Sequence, residues 1–392
     1  MKKTNEMSVS HRRPKIAFLT SGDPQSRRYW SGTPYHMARA LEKHVGEVAF
    51  LGPVRPKRAL LGKLANRAAR VFGKQYDYTH SFFLAKAYAR AFAQKLSGDN
   101  FDLMVAPAAS TEIAFLKTET PILYTSDATF ARMVDYQPGF SSLLKHSIRQ
   151  GNFIEQKAVD KAALLVYPTD WAAQSAIQDY GADPAKVFVV PYGANLDGIP
   201  GREAVLQRKK SARCHLLFLG VNWERKGGPI AFETLLQLEK IGLPVELVVC
   251  GCTPPRSVYH KALTVIPFLD KNDPAQNERL SRLFLESDFL LLPTRCECYG
   301  VAFCEAAAFA LPVITTDTGG VSGVVREGEN GHLLPNEAGG AEYARLVAEI
   351  YRDEARYCEL VRQGRKAFEE RLSWDVWAQT LKRLSAEKLG VG

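Results

Sequence analysis

The stretch "DFLLLPTRCECYGVAFCEAAAFALPVITTDTGG", Asp288 to Gly320, decides how this chain folds. A short, continuous apolar run opens it, a polar loop follows, "FCEAAAFA" has helical composition, and "PVITTD" is apolar again. Strands that are apolar throughout and alternate with helices indicate a parallel sheet covered on both faces. Inside the same unit lie Glu297 and Glu305, eight positions apart, and three of the chain's seven cysteines. Whether carboxylates or sulfurs carry chemistry here depends on the residues around them.

Outward from this unit the rhythm repeats. Upstream come "HLLFLGV" from His215, "VELVVCG" from Val245 and "LTVIPF" from Leu263. The first half has "KIAFLT" from Lys15, "VAFLG" from Val48, "FDLMVAP" from Phe101, "PILYTSD" from Pro121, "LLVYPTD" from Leu164 and "VFVVPYG" from Val187. Segments such as 35–43 and 142–161 place apolar residues three and four apart, the helical period. Polar "DGIPGREAVLQRKKSAR" interrupts the pattern and reads as a linker. The fold class expected is therefore α/β, with two doubly wound Rossmann-like domains in series. They occupy 14–196 and 214–372, with 197–213 between them. Ligands of such sheets sit beyond the strands' carboxyl ends, which puts a shared ligand in the interdomain cleft.

The bulk composition agrees. The chain has 392 residues, 46% hydrophobic and 24% charged, long enough for two ordinary domains. No apolar run approaches the roughly 20 residues of a spanning helix. The start, "MKKTNEMSVSHRRPK", has no apolar core after its charges, so no secretory signal is expected. An odd number of scattered cysteines suits a reducing cytoplasm. The net charge of +9 asks for an anionic partner. It concentrates in residues 56–75, with six basic residues and no acid. On a helical wheel Lys63, Arg67, Arg70 and Lys74 flank an apolar face of Leu60, Leu61, Leu64, Ala68, Val71 and Phe72. Residues 57–74 thus suit either an interfacial helix on anionic lipid, at the inner face of the membrane, or a core-facing helix with a solvated basic side. Nucleic acid is not expected, because no stacking aromatics or recognisable module accompany the charge. Neither G-x-G-x-x-G nor G-x-x-x-x-G-K-[ST] follows a strand, which disfavours dinucleotide and P-loop chemistry.

Three features cluster at strand ends in the second half. In "GVNWERKGG", Arg225 and Lys226 precede two glycines, an arrangement able to hold a diphosphate. Between "DFLLLPT" and the helix, Tyr299 and Gly300 offer backbone amides at a helix N-terminus. Glu297 precedes that helix and Glu305 lies in its first turn, where carboxylates can accept hydrogen bonds from vicinal hydroxyls. In "TDTGGVSG", Gly319 and Gly320 let backbone approach a ligand.

Together these motifs resemble the retaining GT-B glycosyltransferases of family 4: Glu297 and Glu305 spaced E-x7-E around "YG", with "RKGG" upstream and "TGG" downstream. The resemblance covers nearly the whole chain. "PTDWAAQSAIQDYGADPAKVFVVPYGANLD" is similar to the end of that family's first domain and "REGENGHLLP" to its late second domain. "SWDVWAQTLKRL" resembles the last helix, which the family fold implies crosses back onto the first domain, here about 373–388. The resemblance implies that Glu305 binds the nucleotide ribose and Glu297 the donor sugar. It further implies that Arg225 and Lys226 neutralise the diphosphate and that Tyr299, Gly300 and Val301 add backbone contacts. Phe268 would face the nucleobase, and Gly32 would sit against the phosphates from the opposite domain. Two departures stand out: Val221 follows Gly220 where many relatives have arginine, and Asp127 takes the place of a cleft histidine. The implied activity is metal-independent sugar transfer from a UDP- or GDP-sugar, with retention, to an unidentified sugar, lipid-linked or small-molecule acceptor. It needs no cofactor beyond that donor and fits envelope polysaccharide or glycolipid synthesis. A catalytically silent GT-B binding protein is the alternative.

The sulfurs do not compete. Cys296, Cys298 and Cys304 are spaced C-x-C-x5-C, and Cys250 and Cys252 are spaced C-x-C; neither matches the knuckles of structural zinc. No metal ligands are assigned, and His36, His80 and His260 are given no role.

Overall fold

A computed structural model of the protein describes residues 12–56, 66, 67, 69–208, 210 and 212–391. Two six-stranded sheets form its two halves, and every strand pair in both is parallel. The first holds β1 (Lys15–Phe18), β2 (Glu47–Phe50), β3 (Leu103–Pro107), β4 (Ile122–Thr125), β5 (Leu164–Tyr167) and β6 (Val187–Val189), in the order β2-β1-β3-β4-β5-β6. The second holds β7 (Cys214–Leu219), β8 (Val245–Cys250), β9 (Leu263–Ile266), β10 (Phe289–Leu292), β11 (Val313–Thr316) and β12 (Gly331–Leu334), in the order β12-β11-β10-β7-β8-β9. Both are Rossmann-like, and both reverse strand order once. The reversals fall between β1 and β3 and between β7 and β10, the places where a loop pair opens a ligand crevice.

The sheets are anchored by their own composition. All four residues of β10 are fully buried, as are Ile16, Ala17 and Phe18 of β1. Each large apolar side chain removed from water contributes roughly 1.5–3 kcal/mol, so the loops rise from strands that cannot shift cheaply. The helix Gly228–Lys240 covers the second sheet through Ala231, Leu235 and Leu238, spaced at the helical period.

Segment 197–213, expected as a linker, contains a short helix, Arg202–Leu206, whose Val205 is buried. Arg208 then donates to the carbonyls of Phe284 (2.8 Å), Leu285 (3.1 Å) and Phe309 (2.9 Å). The crossing is thus strapped to the second half. The last helix, Trp374–Leu389, starts at Ser373, whose hydroxyl accepts from the Val376 amide. It runs back against the first helix, Thr33–His44, where Asp375 meets Lys43 (2.9 Å) and His44 (2.6 Å). Trp377 is fully buried and Trp374 stacks on Tyr192.

The basic segment 57–74 lies outside the described residues at 57–65 and at 68. Of the remainder, Arg67, Arg70, Val71, Phe72 and Lys74 are exposed. Among the described residues no helix is long and apolar enough to cross a membrane.

Candidate functional site

The site assembles where the second sheet reverses. Beyond β7 the chain makes a tight turn in which the Asn222 side chain accepts from the Arg225 amide at 2.8 Å. Beyond β10 the next loop zips onto that turn, because the Arg295 amide donates to the Arg225 carbonyl, also at 2.8 Å. The zipper brings the cations to the acid. Lys226 forms an ion pair with Glu297, and Arg225 lies 3.5 Å from the same carboxylate oxygen while donating to the Cys296 carbonyl at 3.0 Å. All three side chains are largely buried, so water screens the cluster little.

Gly300 caps the helix Val301–Ala308 in the left-handed region, with φ 91°. Glu305 is the fifth residue of that helix, one turn further in than the sequence placed it, and it is 4% exposed. Its partner is Lys271, from the loop after β9, which also donates to the Asn195 carbonyl at 3.1 Å. Asn195 in turn donates to the Ser31 carbonyl (2.9 Å) and the Thr33 hydroxyl (3.1 Å) and accepts from the Trp374 indole (3.0 Å). A polar chain therefore connects Glu305 with the first half and the returning helix. Beside it Arg28 pairs with Asp270, and Arg27 donates to the Lys271 carbonyl at 3.2 Å. Phe268, on this same loop, is 57% exposed.

The first half supplies the opposite wall. Gly32 has φ 84° and precedes the helix Thr33–His44, so that helix's N-terminus follows the loop after β1. Asp127 follows β4, and its carboxyl is pushed up to about 7, first by burial and then by the Glu297 charge. Tyr136, further along the same connection, reaches the Glu297 backbone. Gly319 has φ 58°, and a Cβ there would run into the Tyr136 hydroxyl and the Glu297 carbonyl; one at Gly320 would meet the Cys298 carbonyl. The space these glycines leave is filled by protein, so they bring their turn against the loop that carries Glu297.

The Tyr299 side chain is 1% exposed and donates to the Tyr192 carbonyl of the first half at 2.6 Å, leaving its backbone as the part near the helix start. Burial pushes Cys304 up to about 12 and raises Cys298 as well, so both are protonated thiols near neutrality. Among the described residues no group of three His, Cys, Asp or Glu is placed to hold a metal.

Of the sequence candidates, Arg225, Lys226, Glu297, Tyr299, Gly300, Val301, Glu305, Gly319 and Gly320 surround the two loops and the helix at the reversal. Asp127 faces them. Gly32 and Phe268 lie near the Lys271 side, Gly32 through its neighbours Ser31 and Thr33. Lys271, Asn195 and Tyr136 went unnoticed in the sequence. Lys271 had a signal, a cation just past a strand end like those of "RKGG". His80 also had one: Asp77, three residues earlier, lies 2.6 Å from its ring. A cavity of about 870 Å³ opens behind the cleft between the first and last helices. His36 lines it, neutral because burial and nearby cations lower its pKa to about 3, but Glu297 and Glu305 do not.

Comparison with known proteins adds family and fold. Residues 33–193 match the family described as Glycosyl transferase 4-like domain, and residues 213–353 match Glycosyl transferases group 1. Among curated proteins, D-inositol 3-phosphate glycosyltransferase of Gordonia bronchialis is 28% identical over 240 residues, which is 56% of this chain and 51% of that one. The chain thus spans about half the length of the curated relatives it matches. Among solved structures, sucrose-phosphate synthase from Thermosynechococcus elongatus superposes with a TM-score of 0.66 at 16% identity, covering 97% of this chain and all (100%) of the other. Anabaena HepE in complex with UDP and glucose gives 0.57 at 15% identity, with 96% and 99% covered. These two are similar in fold.

Proposed function

Because the chain belongs to the group 1 glycosyltransferases, we propose that it moves a sugar from a UDP- or GDP-linked donor to an acceptor hydroxyl, retaining the anomeric configuration and requiring no metal. The observation that carries this is the pairing of Lys226 and Arg225 with Glu297 at the strand-order reversal, with Glu305 one helix turn deeper. A departing nucleoside diphosphate gathers negative charge as the sugar becomes oxocarbenium-like. Cations fixed in advance, in a site poor in water, stabilise that charge without reorganising. Glu305 accepts hydrogen bonds from the ribose hydroxyls and Glu297 from those of the sugar. Each acid holds a lysine, Lys226 at Glu297 and Lys271 at Glu305. Donor entry therefore exchanges one charge-assisted contact for another: Lys226 turns to the diphosphate and Lys271 yields Glu305 to the ribose. A diphosphate oxygen takes the acceptor's proton on the face from which the leaving group departs. Closure of the two halves keeps water out.

The acceptor belongs to cell-envelope polysaccharide, glycolipid or glycoconjugate synthesis. The relative's name supports including a phosphorylated polyol among the acceptors tried. Exposed Val71 and Phe72 beside Arg67, Arg70 and Lys74 support a cytoplasmic enzyme resting on an anionic membrane face. Liposomes containing anionic lipid should float the protein, and reversing the charge of Arg67 and Arg70 should abolish flotation; equal flotation rules the contact out.

The reaction is tested by incubating the protein with a panel of UDP- and GDP-sugars and following slow donor hydrolysis, with melting curves in UDP and GDP. Nucleotide at 100 times its dissociation constant adds about 2.7 kcal/mol of stability. A melting curve indifferent to both nucleotides would instead favour a silent binding protein.

A further inference from the structure

Glu297 sits in a loop without regular structure, and its backbone is held from the other half of the molecule. The Tyr136 hydroxyl accepts from the Glu297 amide at 2.9 Å. It also lies 3.2 Å from the Glu297 carbonyl and 3.1 Å from the Thr318 hydroxyl, to one of which it donates. Gln137 grips the residues on either side: its amide donates to the Cys298 sulfur at 3.2 Å, and its oxygen lies 4.0 Å from the Cys296 sulfur. The room for the phenol comes from Gly319, where a Cβ would collide with it. Tyr136 is itself aimed by its surroundings. Asp135 before it adopts φ 57°, a conformation non-glycine residues rarely hold without compensation, and its side chain accepts from the Ser142 amide at 3.1 Å. The Tyr136 ring rests on Trp171, with centroids 5.4 Å apart.

We propose that Tyr136, assisted by Gln137, is a positioning residue that holds Glu297 in its sugar-gripping form only while the two halves are closed. The inference rests on the proposed role of Glu297. Among the described residues, the second half gives the Glu297 carbonyl one partner, the Gly320 amide at 3.1 Å. Opening the cleft withdraws the phenol and leaves the Glu297 amide without its partner, so the loop loses its support when the halves separate. The same connection after β4 carries Asp127, so a ligand that moves it acts on Glu297 through both charge and hydrogen bonds. The flanking cysteines acquire a role as well, as the surfaces that Gln137 holds.

The test compares full-length wild type with Tyr136→Phe, which keeps the ring on Trp171 and removes the hydroxyl, using the donor the panel selects. A small misplacement of a substrate-holding group costs up to about 100-fold, and kcat for hydrolysis is expected to fall at least about tenfold with UDP affinity by calorimetry within about twofold. Alkylation of Cys296 and Cys298 by iodoacetamide, followed by peptide mass spectrometry, should speed up at least about fivefold as the loop loosens, with Cys252 and Cys358 unaffected. An unchanged kcat overturns the proposal. So does unchanged labelling of the two thiols, or a loss of UDP affinity in step with kcat. Glu297→Gln run alongside separates the two levels: wild-type turnover in that variant defeats the role of Glu297 itself. Should Tyr136→Phe not fold, Gln137→Leu is read by the same three measurements.

Discussion

Glu297 and Glu305 are eight residues apart and are held in opposite ways. Glu305 sits inside a helix, where its backbone is fixed, and faces Lys271 on a loop strapped to the first half by Arg27 and Arg28. Glu297 sits in a loop and faces Lys226 and Arg225, whose turn is zipped onto the loop after β10, while its backbone leans on Tyr136. At one acid the carboxylate is carried by a helix and its cation by a loop tied to the first half. At the other the cations come from a turn zipped onto the acid's own loop, and it is the acid's backbone that is tied to the first half. On the proposed roles, the deep acid would hold the nucleotide in any state of the cleft, and the loop acid would serve a step that occurs only when the cleft is shut.

The largest effect that could break this division is expected at Lys226. On the proposed mechanism, Lys226→Ala removes the ammonium that would meet the leaving group and leaves Glu297, among the described residues, with Arg225 at 3.5 Å. Losing one preorganised donor to a developing charge costs about 10²–10³ in kcat. Steady-state donor hydrolysis should show that loss with a much smaller change in UDP affinity. If affinity collapses and kcat at saturation survives, Lys226 belongs to the nucleotide half and the division is wrong.

How much of this was readable in advance follows from how local each contact is. The strands were legible because each is apolar throughout, as β10 and β1 show, and both acids were legible because their spacing around Tyr299 and Gly300 is contained in one unit. Arg225 and Lys226 were legible as cations at a strand end. Tyr136 and Asn195 were not, since each acts across the gap between the halves, on residues more than 100 positions away in the chain or on a returning helix. Asp127 was visible as a residue of the first half, but its coupling to Glu297 needs both halves in place. The glycines of "TGG" were seen, yet the neighbour they make room for, a phenol from the other half, leaves no trace within the motif.

A middle-sized effect sharpens the other side of the comparison. Glu305→Gln keeps the shape of the side chain and removes the charge that we propose accepts from the ribose hydroxyls. A hydrogen bond to a charged group is worth about 1.5–3 kcal/mol, so UDP should bind roughly 10- to 100-fold more weakly by calorimetry. Turnover at saturating donor should change far less, because the cations around Glu297 are untouched. Equal losses in both quantities would mean the two acids work as one unit.

The smallest effect concerns Asp127, and its sign can be worked out. Its carboxyl is raised from 3.8 to about 7 by burial first and by the Glu297 charge second. Between those values the folded protein keeps a proton that the unfolded chain has released. Stability contributed at this site therefore falls as pH rises from about 4 to about 7 and falls no further above that. Asp127→Asn cannot titrate, so its melting temperature minus that of wild type should climb through that window by a few degrees and then level off. Glu297→Gln should narrow the window from its upper end, because the like charge that helps raise Asp127 is gone. Glu305→Gln should leave it alone, since Glu305 is not among the groups that shift Asp127. The pH response thus belongs to one acid and not the other. Melting curves that run parallel for all four proteins would show that Asp127 does not sense Glu297, leaving Tyr136 as the described contact from the first half to the Glu297 backbone.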